Sequence, residues 1–78
     1  MIDRYKRLIM ETVPSVPAGR TTYEALYHGV SSYCSDLGIA FDGLVFDDAL
    51  EKLEEEQCLV YFDKNDVRPT THGLLKFS

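Results

Sequence analysis

The chemistry-bearing side chains of this 78-residue chain are few and scattered. His28, Cys34, Cys58 and His72 are the only soft metal ligands, and no two of them share the close spacing of a zinc knuckle, so no metal is expected. Ser31, Ser32 and Ser35 follow His28, yet no glycine-rich elbow or orienting acid accompanies them. They read as helix surface, and neither an enzyme nor a cofactor site is expected. Tyr23, Tyr27 and Tyr33 could form a base-stacking platform, but aromatic residues at helical spacing are more often core. What remains is charge. Nine acids lie between Asp36 and Asp63 with only Lys52 opposing them, while the rest of the chain holds seven bases against four acids. An acidic side and a mildly basic side follow, with Arg4, Lys6, Arg7, Arg20, Lys64, Arg68 and Lys76 supplying the latter.

The elements that must position these groups can be read from periodicity. Ile2, Tyr5, Leu8, Ile9 and Val13 recur at helical spacing, giving an amphipathic helix over 2–13 that Pro14 ends. PSVPAG is a turn-rich connector. Thr21, followed three residues later by Glu24, fits a capping box for a second helix running to Leu37, with Gly38 as its left-handed stop. Its inward face is expected to carry Tyr23, Tyr27, Val30, Cys34 and Leu37, widened by Leu26 and Tyr33. Asp42 or Asp47 caps a third helix reaching about Gln57, with Phe46, Ala49, Leu50 and Leu53 inward. Cys58 to Asp63 is a strand candidate, Lys64–Asp66 a turn, and Val67 to Thr70 a returning strand that Pro69 places at an edge or an end. The tail makes a last helical turn packing Leu74, Leu75 and Phe77, with His72 in a loop before Gly73.

With hydrophobic residues at 45% and charged residues at 27%, the composition is that of a folded globular chain, and 78 residues leave room for one core, hence one domain over 1–78. No apolar run approaches a membrane span, and the charged opening does not resemble a secretory signal. A cytoplasmic protein with two reduced, packed thiols and no membrane contact is expected.

The order helix, extended piece, helix, turn, helix, hairpin resembles that of the winged helix-turn-helix superfamily. The segment ALEKLEEEQCLVYFDKNDVRPTTHG, Ala49 to Gly73, is similar to the end of a winged-helix recognition helix and its wing. The resemblance implies an α+β, mainly helical fold: a three-helix winged helix-turn-helix with a C-terminal two-stranded β-hairpin wing. Three departures stand out. Gln57 and Cys58 occupy the position between helix and strand where Gly is usual. The second helix is long. The third helix offers Asp47, Asp48, Glu51, Glu54 and Glu55 where a reader of the major groove needs Arg, Lys, Asn or Gln. Five carboxylates near a phosphate array oppose binding, so DNA reading through this helix is disfavoured.

The expectation is therefore a winged-helix protein-interaction module that presents Asp47, Asp48, Glu51, Glu54 and Glu55 to a basic partner surface, as an adaptor or inhibitor. Viral and mobile-element inhibitors that fill nucleic-acid-binding grooves offer one pattern for it. The alternative is a DNA-binding transcription regulator that contacts phosphates through Arg4, Lys6, Arg7, Lys64 and Arg68.

Overall fold

The computed structural model describes residues 2–13 and 21–77. Four helices and one two-stranded antiparallel sheet follow in the order α1 (Ile2–Thr12), α2 (Tyr23–Asp36), α3 (Gly43–Glu55), β1 (Leu59–Asp63), β2 (Asp66–Pro69) and α4 (Thr71–Lys76). The fold is thus a mainly helical α+β arrangement, and a helix follows the hairpin where a single turn was expected. The connector at 14–20, with Pro14, Pro17 and Arg20, lies outside the described residues. No helix among the described residues is long and apolar enough to cross a membrane.

The core holds part of the set that periodicity predicts, with Met10 added and Ile2 only partly buried. Tyr5, Leu8, Ile9, Met10 and Val13 from the first helical segment meet Leu26, Val30 and Cys34 of α2 and Phe46, Ala49, Leu50 and Leu53 of α3, closed by Cys58, Leu59 and Val67 of the hairpin region. Both cysteines are free thiols inside this cluster. Tyr5 ties α1 to the α2–α3 connection through its phenol. The oxygen accepts the Asp42 N–H at 2.8 Å, and the O–H donates to the Ala40 carbonyl at 3.4 Å. A buried hydroxyl with both capacities used is stabilising, because neither group it meets is left unpaired.

Helix starts follow side-chain capping. Asp42, not Asp47, caps α3, its carboxylate accepting the Leu44 and Val45 N–H groups. For α2 the cap is Thr22, whose hydroxyl accepts the Ala25 N–H at 3.0 Å, so the expected Thr21–Glu24 box does not form. Thr21 is used otherwise. Its carbonyl accepts the Val67 N–H at 2.8 Å, bridging the start of α2 to β2, and the Tyr23 N–H, unpaired within its own helix, donates to the Lys64 carbonyl at 2.7 Å.

Helix ends follow one geometry twice. Gly38 has φ +71°, and the Ile39 N–H returns to the Cys34 carbonyl while the Gly38 N–H returns to Ser35. This is a Schellman closure. At the end of α3 the same pair of bonds recurs, Cys58 N–H to the Leu53 carbonyl and Gln57 N–H to that of Glu54, with Gln57 at φ +61°. The missing glycine is therefore replaced in place: Gln57 adopts the left-handed conformation that L side chains resist. Gln57→Gly is expected to raise unfolding free energy by about 0.5–1 kcal/mol, read as a higher urea midpoint with an unchanged slope.

Several expected inward residues lie outside. In α2 the buried row is Leu26, Val30 and Cys34, whereas Tyr23 and Tyr27 are half-buried and Tyr33 and Leu37 are 41% and 53% exposed. Beside this row α2 approaches α1 so closely that a side-chain carbon at Gly29 would overlap the Thr12 methyl group, and Tyr33 and Leu37 are left at the solvent side on the last turns. In the tail, Phe77 packs against the core, but Leu74 and Leu75 are 43% and 72% exposed. His72 is not in a loop but on α4, also exposed. The reason is Gly73, which is the buried residue of α4 and sets which side of that helix faces in.

In the hairpin, Leu59 pairs with Pro69, Val60 with Arg68 and Tyr61 with Val67, and the register shifts between Tyr61 and Asp63. Leu59 and Val67 point inward, Val60 and Phe62 outward. Strand β2 ends at Pro69, and Thr70 becomes the N-cap of α4.

Candidate functional site

The exposed face of α3 carries a concentration of carboxylates. Asp47, Asp48, Glu51, Glu54 and Glu55 are all exposed, as helical spacing requires once Phe46, Ala49, Leu50 and Leu53 turn inward. Two of the five are engaged. Asp47 accepts a hydrogen bond from the Tyr23 hydroxyl, and Glu55 faces Lys52 at 3.4 Å. Asp48, Glu51 and Glu54 have no side-chain hydrogen bond or ion pair among the described residues. Burial of the Tyr23 ring, and then its bond to Asp47, push that phenol up to about 12. Leu44, 78% exposed, stands four residues before Asp48 and seven before Glu51, so it extends the same row with an apolar side chain.

The bases behave differently. Lys6, with a side chain only 12% exposed, bonds Glu56 and lies 3.9 Å from Asp3; Lys76 reaches the other Glu56 oxygen at 3.1 Å. Arg68 holds Asp66 through two bonds of 2.9 and 3.1 Å and lies 5.1 Å from the Phe62 ring. Arg7 lies over Phe77 at 5.9 Å. Of the five bases expected on a nucleic-acid backbone, two are thus bound to carboxylates of the protein itself. Arg4, Arg7 and Lys64 have no carboxylate partner among the described residues.

Glu56 is the residue that sequence reasoning left out. It was grouped with the acidic run, but it continues the inward row of Ala49 and Leu53 at spacings of seven and three, and that spacing is the signal for it. The hydrogen bonds from Lys6 and Lys76 hold its carboxyl below its ordinary value of 4.5, and Glu56 in turn raises Lys6 above 10.5. A carboxylate with a depressed folded pKa contributes stability that is complete above the unfolded value and lost as pH falls through the folded one. A lysine with a raised folded pKa contributes below its unfolded value and loses that as pH rises through the folded one. Urea unfolding at pH 7 and at about pH 3 is therefore expected to show a larger acid loss for the native chain than for Glu56→Gln.

The soft ligands do not converge: Cys34 and Cys58 are buried, while His28 and His72 are exposed, with His28 3.7 Å from Glu24. Among the described residues no group of three or more His, Cys, Asp or Glu side chains is placed to hold a metal ion. Ser32 and Ser35 are exposed on α2 and Ser31 is half-buried there. The chain matches no family model, no curated protein and no solved structure. Among the described residues, charge is concentrated on the outer face of α3 and in the cleft around Glu56.

Proposed function

We propose that this chain is a winged-helix protein-interaction module, without catalytic activity, that docks the outer face of α3 on a basic surface of a partner protein, as an adaptor or an inhibitor. One observation carries the reading: Asp48, Glu51 and Glu54 have no ion-pair partner among the described residues, while Lys6, Lys76 and Arg68 are already held on Glu56 and Asp66. Like charges held along one helix face repel one another, and a partner's Arg or Lys side chains relieve that repulsion on contact. Leu44 at the head of the row adds an apolar contact, which contributes affinity where exposed ion pairs contribute mainly rate and selectivity. Two free, buried thiols suit a reducing compartment, and the cytoplasm is the proposed site of action.

The regulator reading asks Lys6 and Arg68 to leave Glu56 and Asp66 for phosphates, and brings the α3 carboxylates toward the duplex. It is the weaker of the two. The test is charge reversal at exposed positions that do not support the fold. Glu51→Lys with Glu55→Lys is expected to abolish capture of a partner from cell extract while far-ultraviolet circular dichroism stays unchanged. Retained capture overturns the reading, as does salt-sensitive binding of random-sequence duplex DNA by the native protein in fluorescence anisotropy.

A further inference from the structure

We propose a second site, for a phosphate monoester, in the cleft between the first two turns of α1 and the end of α4. The cleft, open to solvent along one side, has a volume of about 460 Å³ and is lined by Asp3, Arg4, Lys6, Arg7, Glu56, Lys76 and Phe77. That volume falls within the roughly 300–1,000 Å³ of small-ligand sites. Four cations face two carboxylates there, in a chain whose formal charge is −5, so the cleft concentrates positive charge on an acidic molecule.

The four cations divide into two pairs. Lys6 and Lys76 close on Glu56 from both sides, one on each oxygen, so the protein already fills one anion position with a carboxylate of its own. Arg4 and Arg7, one helical turn apart, have no carboxylate partner among the described residues. Guanidinium is the side chain that grips phosphate bidentately through a planar fork, and two forks suit the several terminal oxygens of a phosphate better than the two of a carboxylate. The half-buried Phe77 ring beside Arg7 gives the ester group an apolar surface. Glu56 then acts as an internal counter-ion. It keeps Lys6 and Lys76 in place at the rim and sets an upper limit on affinity by opposing a second anion.

The site is separate from the outer face of α3, and the two proposals fail separately. Titration of the native protein with inorganic phosphate and with adenosine monophosphate, followed by ¹H–¹⁵N NMR at low ionic strength, is expected to give saturable shifts confined to residues 3–7, 56 and 76–77. Arg4→Ala with Arg7→Ala is expected to weaken binding at least about tenfold, since both forks are removed. Glu56→Gln is expected to tighten it severalfold, and Lys64→Ala to leave it unchanged. Tighter binding of the nucleotide than of phosphate, lost in Phe77→Leu, identifies a ring-bearing ester as the ligand; equal binding identifies the phosphate group alone. Shifts that do not saturate, or binding indifferent to the double arginine variant or to Glu56→Gln, overturn the proposal. All these substitutions but Phe77→Leu are at exposed or rim positions, and circular dichroism checks the fold of each.

Discussion

Gly73→Ala is expected to destabilise the protein by about 3 kcal/mol, a substantial share of the stability of a domain this small. An added methyl group at this position would lie 2.3 Å from the Cys58 carbonyl oxygen and under 3 Å from the Cys58 Cα and carbonyl carbon. These are backbone atoms at the start of the hairpin, so no rotamer change relieves the overlap. The surrounding bonds fix the approach. Thr70 donates its hydroxyl to the Gln57 carbonyl at 2.6 Å, accepts the Gly73 N–H at 2.9 Å, and gives its own N–H to the Cys58 carbonyl at 3.0 Å. Moving α4 outward by the distance the methyl group needs would strain all three. His72→Ala, on the exposed side of the same helix, is the control and should fall within about 0.5 kcal/mol of the native protein. Paired urea titrations decide the matter, and equal midpoints for the two variants would show that α4 is not seated on Cys58.

The second large effect is at Phe46, whose ring is fully buried and edge-on to Tyr23 and Tyr27, with Phe41 beside it at 5.9 Å. Phe46→Ala is expected to cost about 3–5 kcal/mol through lost burial and the cavity left among three rings that cannot collapse into it. The same variant should loosen Tyr23, and with it the hydroxyl that holds Asp47. Thermal unfolding followed by near- and far-ultraviolet circular dichroism checks both. A near-ultraviolet tyrosine signal unaltered below the transition would show that Phe46 does not order the tyrosines.

The contrast between what local sequence revealed and what it concealed has a physical pattern. The α1 helix, the Gly38 stop and the inward set of α3 were legible because each depends on residues within a turn or two of one another, while the cap of α3 was narrowed only to Asp42 or Asp47. The spacing of Thr21 and Glu24 pointed to Thr21 as the cap where Thr22 caps instead, because the Val67 N–H takes the Thr21 carbonyl from across the fold. Leu74 and Leu75 read as core because they are apolar, but the contact that orients α4 is made by the residue with no side chain. The acidic face of α3 was fully legible, since surface acids are what remains when the apolar row turns inward. The basic cleft was not, because Lys76 meets Glu56 and Lys6 only when the two ends of the chain are brought together.

The bonds from Thr21 and Tyr23 to the hairpin also bear on how the molecule comes into being. The backbone groups that close the entrance of α2 find their partners at Val67 and Lys64, more than forty residues later in the chain. During synthesis, α1, α2 and α3 can therefore emerge and begin to pack while the first turn of α2 still meets only water. Native closure of that turn waits for the hairpin, and because the pairing spans more than forty residues its formation is expected to be slow relative to the helices. A nascent chain halted before Val67 should accordingly show helical content without the protease resistance of the finished protein.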